Sequence, residues 1–142
     1  MTVRTRALAT IAVICMCFAA SARCEDATAI WQTLVQKKLD VAIPAYDGAY
    51  LSWQRGLGDV ETVYRWSKRW MDAEVQLAKT TAEKATAADK HLARMRGFLA
   101  EATKRMDVGQ VTVLDSKSTE WYVAEAEELL LSWKSAPPAI RP

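Results

Sequence analysis

The sequence predicts an all-α protein of elongated antiparallel helical hairpins. It has three helices, and the long central helix belongs to both hairpins. From about residue 26 onward, apolar residues recur at steps of three and four, which is the spacing of one helix face. No alternating run of apolar and polar residues indicates a strand. Two glycine-containing joints, near 56–60 and 107–112, divide the helical pattern and predict where the chain turns.

The first helix is predicted over about residues 26–55. Its apolar face consists of a row of aromatic and aliphatic residues: Trp31, Val35, Leu39, Ala42, Tyr46, Ala49 and Trp53. Pro44 lies inside this helix, where proline removes one backbone hydrogen bond and crowds the preceding turn. We therefore expect a kink or a break at residues 42–44.

The first joint, Gly56-Leu57-Gly58-Asp59, combines glycines that tolerate the left-handed conformation with an aspartate suited to cap the next helix. The helix after it is predicted to be the central one, over residues 60–105, because it contains no proline and only one glycine. At 1.5 Å per residue this helix would be about 69 Å long. Its middle, residues 78–90, is rich in alanine and threonine and offers little apolar surface.

The second joint lies in the stretch "VGQVTVLD", residues 108–115. Gly109 is predicted to end the central helix in the left-handed conformation. Thr112 and Asp115 fit the capping pattern that begins a helix, so the stretch is interpreted as a joint between helices. The last helix is predicted to end before Pro137, which leaves residues 137–142 as a tail.

The two joints resemble each other in sequence. When residues 56–74 are shifted by 51 positions, Gly58 aligns with Gly109 and Trp70 with Trp121. This predicts an internal repeat of two helix–turn–helix units, with Trp70 and Trp121 as equivalent structural residues. Four packing pairs are expected from this arrangement: Tyr50 with Trp66, Tyr46 with Trp70, Phe98 with Trp121, and Met95 with Tyr122.

The second joint resembles the periplasmic tip of the TolC-type outer-membrane efflux proteins. Val108, Gly109, Thr112 and Asp115 match the tip pattern, followed by a helix with aromatic and alanine positions. The resemblance implies that the turns contact a partner, such as the hairpins of adaptor proteins. The residues implied in partner binding are Leu57, Gly58, Val108, Gly109, Gln110 and Val113. The chain departs from the family because it is short, and because a shared central helix would place its two turns at opposite ends. The alternative is a plain helical turn with no partner.

The first 22 residues are typical of an export signal. Arg4 and Arg6 precede an apolar run over residues 7–20, and Ala20-Ser21-Ala22 is typical of a cleavage site. After cleavage the predicted mature chain consists of a helical domain over residues 23–136 and the tail. We expect it in the periplasm or envelope, and we expect no transmembrane segment in it. Loss of two arginines leaves 17 basic and 17 acidic residues, which disfavours nucleic-acid binding. Cys24 would be the one remaining cysteine, and it is left open whether it is free, bridged to another molecule or lipidated.

The sequence offers no catalytic, cofactor or metal site. His91 is the only histidine, and we expect it on the solvated surface of the central helix rather than as a metal ligand. Acidic residues on the second and last helices are also expected to be solvated. These observations favour a non-enzymatic structural or assembly module that packs with itself or an envelope partner. The alternative is a periplasmic chaperone or stress sensor that binds apolar segments.

Overall fold

The computed structural model describes the backbone of residues 4–135 and the side chains of residues 27–135. Within this range the chain forms four α-helices and no strand: α1 (Arg4–Gln54), α2 (Val60–Leu77), α3 (Thr81–Asp107) and α4 (Val113–Ser135). The predicted all-α class is confirmed. The predicted tail at 137–142 lies outside the described residues. The chain divides into two compact units, Met1–Leu34, whose described part belongs to α1, and Val35–Pro142, which contains every site discussed below.

Of the kink or break predicted near Pro44, the break does not occur, because α1 continues through Pro44 to Gln54. Proline deprives a helix of one hydrogen bond and disturbs the preceding turn. Val35 and Ala42 are buried before it, and Tyr46 stacks on a second aromatic ring after it. We infer that this packing keeps the segment helical.

The prediction of one central helix over residues 60–105 is also wrong. This segment forms two helices, α2 and α3, which are separated at residues 78–80. Ala78 leaves the helical conformation with ψ of 132°, and Thr80 caps α3. The Thr80 hydroxyl accepts a hydrogen bond from the Glu83 N–H, and the Glu83 carboxylate accepts one from the Thr80 N–H. This capping box satisfies backbone donors that a continuous helix would have to bond internally, so the chain turns without glycine or proline.

Because of this turn, α2 and α3 are antiparallel neighbours. The Lys90 Nζ lies 3.1 Å from Glu74 Oε1, and the Arg94 Nε donates to Ser67 Oγ over 2.8 Å. Residue numbers thus rise along α3 as they fall along α2. Both glycine joints consequently lie at one end of this unit, which corrects the expectation that they occupy opposite ends.

The core is built from aromatic and aliphatic side chains of all four helices. Phe98 is 1% exposed and contacts Trp53 edge to face, with 4.7 Å between ring centroids. On the side of α4, Tyr64 stacks on Tyr122 at 4.1 Å. Burial of such side chains stabilises the fold by about 1.5–3 kcal/mol each.

Two expected ring pairs can be judged directly from the structure. Tyr46 and Trp70 are in edge contact at 5.8 Å, as the sequence predicts. Tyr50 does not pair with Trp66; its ring contacts Tyr46, Trp53 and Phe98. Met95 and Tyr122 are both buried in the same core cluster.

Candidate functional site

The first joint closes α1 with a two-hydrogen-bond turn. Gly56 has φ of +73°, the left-handed conformation in which a side chain would be strained. The Gly56 N–H donates to Trp53 O and the Leu57 N–H to Ser52 O, both over 2.9 Å. This pattern satisfies the last carbonyls of a helix. Asp59 then caps α2 by accepting from the Thr62 N–H over 2.7 Å.

The second joint has the same construction. Gly109 has φ of +73°, so the predicted left-handed glycine is confirmed. The Gly109 N–H donates to Met106 O over 2.9 Å and the Gln110 N–H to Arg105 O over 2.8 Å. Thr112 accepts from the Asp115 N–H over 3.1 Å, while its hydroxyl donates to the Asp115 carboxylate. The predicted capping role of Thr112 and Asp115 is therefore present.

The structural match between the joints has a different register from the sequence alignment. The left-handed glycines are Gly56 and Gly109, and the capping residues are Asp59 and Thr112, so equivalent positions are 53 apart rather than 51. Gly58, which the alignment pairs with Gly109, has no positive φ. A Cβ on Gly58 would lie 3.1 Å from Trp53 N and 3.3 Å from Ser52 Cβ, so this glycine permits a close approach to the end of α1. The predicted repeat itself stays a prediction.

The two joints line one cleft of about 520 Å³. Arg105 holds the joints together, because its Nη1 donates to Gln54 O over 2.7 Å and its Nε contacts Glu101 at 3.1 Å. Its guanidinium also lies 5.0 Å from the centre of the Trp53 ring. The remaining lining comes from both joints and their helix ends: Gln54, Arg55, Gly56, Gly58, Asp59, Val60, Gln110, Val111 and Asp115.

The residues implied in partner binding are brought to this end and exposed. Leu57 is 80% exposed, Val108 68% and Val113 67%, and the backbone between them presents Gly58 and Gln110 to solvent. We name Leu57, Val108, Gln110 and Val113 the joint face. None of these side chains belongs to the buried core, and Leu57 and Gln110 take part in closing the turns only through their backbone N–H groups.

Trp70 and Trp121 have different environments. Trp70 lies partly buried between Tyr46 and the Arg94 guanidinium, which is 4.0 Å from its ring centre, and its buried Nε1 has no hydrogen-bond partner. Trp121 is 70% exposed, so its expected contact with Phe98 is wrong. The ring of Phe98 is instead packed against Trp53 and Tyr50 of α1. The expected structural equivalence of Trp70 and Trp121 fails in burial.

His91 is buried rather than solvated, which corrects the expectation for it. Its side chain is 2% exposed, and its Nδ1 lies 2.9 Å from Ser67 Oγ. Arg94 donates to the same hydroxyl over 2.8 Å, so the Ser67 proton is available to His91. Burial, which is the largest cause, and the positive charges of Arg94 and Lys68 together lower the pKa of His91 from 6.5 to about 4. The ring is therefore neutral at neutral pH.

A serine and a neutral histidine at 2.9 Å have the geometry of a nucleophile and its base. Ser67, however, is 0% exposed, and its oxygen accepts from Arg94, which withdraws nucleophilic character from it. His91 also borders a cavity of about 260 Å³ with Tyr64, Lys68 and Glu125. The arrangement is that of a structural polar network that ties α2 to α3.

Among the acidic residues of α4, Glu120 and Glu128 are exposed as expected, whereas Glu125 and Glu127 pair with basic residues of neighbouring helices. Lys68 contacts Glu125 at 3.2 Å, and Arg96 contacts Glu127 at 2.8 Å. Both pairs are partly exposed, so each contributes at most about 1 kcal/mol. Among the side chains that the structure describes, no group of three or more histidine, cysteine or acidic residues is placed to hold a metal ion.

The fold and the joints define a small helical protein whose two turns share one end and one cleft. No family model, curated protein or solved structure matches the chain. The resemblance to the TolC-type proteins therefore stays a prediction from the joint motif. Across the described part of the chain, no helix is both long and apolar enough to cross a membrane.

Proposed function

We propose that this chain is an exported, non-enzymatic assembly module that binds a protein of the cell envelope through its joint face. The observation that carries the proposal is that both joints lie at one end, border a shared cleft, and each expose apolar side chains to solvent. The resemblance implies that the tips of TolC-type proteins contact the hairpins of a partner. We propose that the joint face acts in the same way, by packing against the helices of a partner or another copy.

The apolar residues of the joint face have no evident role in folding. The helix ends are satisfied by the left-handed turns, by the caps Asp59 and Thr112 and by Arg105, without the side chains of the joint face. Leu57 and Val108 remain more than two-thirds exposed. Exposed apolar residues grouped at one end are typical of a contact surface. Their position on turns held by rigid helices is also typical of binding residues.

The shared end supports the resemblance in one further respect. Tips of the TolC-type proteins share an end, and the break at residues 78–80 produces the same relation between the two joints of this chain. The non-enzymatic part of the proposal is supported by the complete burial of Ser67 in the network that most resembles a catalytic pair.

Site-specific crosslinking in intact envelopes tests the joint face. A photoreactive residue at Val108 or Val113 should give one discrete adduct, whereas the same residue at the exposed control position Asp89 on α3 should give none. Val108→Asp with Val113→Asp should abolish the adduct formed from a photoreactive residue at Leu57 while helical circular dichroism is unchanged. Equal crosslinking from joint and control positions would mean that the joints are plain helical turns.

Export requires a separate test. The mature chain should begin near Arg23, because the predicted cleavage element ends at Ala22. N-terminal sequencing of protein from the envelope fraction measures this directly. Recovery of a chain that still begins with Met1, or of a lipid-modified Cys24, would contradict the proposed cleavage.

The chaperone alternative is favoured by one observation, the exposure of Trp121 at 70% and Leu131 at 62% on α4. In that case the protein should suppress aggregation of an unfolded client, and Trp121→Ser should reduce the suppression. Suppression that is absent in the wild-type chain removes this alternative.

A further inference from the structure

The outward side of α4 carries an apolar row that no other described helix covers. Leu114 is 76% exposed, Trp121 70% and Leu131 62%. They belong to a row spaced alternately by three and four residues, which repeats every seven: Leu114, Lys117, Trp121, Ala124, Glu128 and Leu131. The opposite side of α4 is buried in the core through Ser116, Thr119, Tyr122, Ala126 and Leu130. A helix that is apolar on two sides is suited to contact two neighbours.

This outward row is self-complementary when it is read in the two directions. About a point between residues 122 and 123, Leu114 is placed symmetrically to Leu131, Lys117 to Glu128, and Trp121 to Ala124. The pairs are thus apolar with apolar, positive with negative, and large with small. A spacing of three and four residues is that of helices that pack side by side at a shallow angle.

We propose that α4 pairs with α4 of a second copy of this chain, antiparallel and around a twofold axis that passes between residues 122 and 123. Leu114 contacts Leu131 of the second copy at both ends of the interface. Trp121 covers Ala124 of the second copy near the axis, where the small side chain leaves room for the indole. The contact extends over about 26 Å of each helix. A twofold axis requires each such contact to occur twice.

Charge complementarity identifies the occupant as a second copy. Lys117 contacts only Glu120 of its own helix, at 2.8 Å on the exposed surface. Glu128 has no ion-pair partner among the side chains that the structure describes. In the antiparallel dimer each Lys117 lies opposite Glu128 of the other copy. In a parallel dimer like charges would face each other, which disfavours that orientation.

This interface goes beyond the proposed function, because it does not use the joint face. The dimer leaves Leu57, Val108 and Val113 free for an envelope partner. The charge variants below therefore test the interface alone, and crosslinking from Val108 tests the joint face alone.

Sedimentation velocity on the full chain over a concentration series measures the dimer. The wild type should reach twice the monomer mass as concentration rises. Lys117→Glu and Glu128→Lys should each shift the equilibrium to monomer, because each places two like-charged pairs in the interface. The control Lys104→Glu changes the same charge at an exposed position of α3 and should dimerise like the wild type.

Mixing the two single variants provides the decisive measurement. In an antiparallel pair, the two glutamates of one variant lie opposite the two lysines of the other, so the mixture should form a heterodimer. Trp121→Glu should remain monomeric alone and when it is mixed with either charge variant. A monomeric wild type, association that ignores both charge changes, or a mixture that does not restore the dimer would overturn the proposal. Association that ignores the charges but is lost in Trp121→Glu would mean that the row self-associates in a different geometry, which also overturns the antiparallel pairing.

Discussion

Lowering the pH should destabilise this protein through His91, in a window above the range where most carboxylates titrate. The ring is 2% exposed and neutral in the folded chain, with a pKa of about 4 against an ordinary value of 6.5. The groups that face it are Lys68 on α2, Arg94 on α3 and Glu125 on α4. Burial and the two cations disfavour the charged ring, and Glu125 favours it.

The direction in which stability changes with pH follows from where the folded and unfolded chains bind the proton. The unfolded chain takes up a proton on His91 below about pH 6.5, whereas the folded chain does so only near pH 4. The stabilisation is thus fully present at pH 7 and above, and it is lost as pH falls from about 6.5 to about 4. With 1.36 kcal/mol for each unit of pKa, the total loss is about 3 kcal/mol, of which about 2 kcal/mol is lost by pH 5.

Urea unfolding of the wild type and of His91→Gln at pH 7 and pH 5 tests this reasoning. Glutamine can keep a hydrogen bond to Ser67 but has no proton to gain. The free energy of unfolding of the wild type should fall by about 2 kcal/mol between these pH values, and that of the variant should change much less. Equal losses in both proteins would refute the assignment of the pH dependence to His91.

Further predictions concern the turns and the two tryptophans. Gly109→Val should cost at least about 1–2 kcal/mol, because φ of +73° strains a β-branched residue, whereas the matched change Gly97→Ala in the open helical surface of α3 should stabilise by up to about 1 kcal/mol. Thr80→Ala should cost about 1 kcal/mol by removing the capping box that begins α3, and a neutral result would show that packing alone sets the turn. Trp70→Ala should cost about 3 kcal/mol, whereas Trp121→Ala should stay within about 0.5 kcal/mol, as measured by thermal or urea unfolding at low protein concentration. Similar losses at the two positions would restore the equivalence that the sequence alignment predicts.

Helical periodicity and the joint chemistry could be read from the sequence because both depend on nearby residues. The spacing of apolar positions predicts helices wherever a face has to be buried. Gly109, Thr112 and Asp115 act within their own turn, so their conformation and hydrogen bonds were predictable. The break at residues 78–80 was also signalled locally, by Thr80 and Glu83 at capping-box spacing. Because the stretch lacks glycine and proline, apolar periodicity alone does not indicate this break.

Burial of individual side chains was less predictable, because it depends on which helix lies opposite. The spacing around Trp121 predicts that its ring is buried against Phe98. The ring of Phe98 is instead covered by Trp53 and Tyr50 of α1, and Trp121 is exposed. His91 reads as a surface residue in a weakly apolar stretch, yet Ser67 of α2 hydrogen-bonds its ring, and Arg94 donates to the same hydroxyl. No feature of the sequence near position 91 indicates these contacts, since Ser67 is 24 residues away.

The sequence by itself determined the all-α class, the two glycine joints and the caps that follow them, because these depend on backbone preferences and hydrogen bonds within a few residues. Only the tertiary structure decided that the joints share an end and a cleft, that His91 is buried and that Trp121 faces outward. These features follow from the reversal between α2 and α3, which changes every pairing of helices along the chain. One short turn thereby sets which apolar faces are enclosed and which are exposed to solvent.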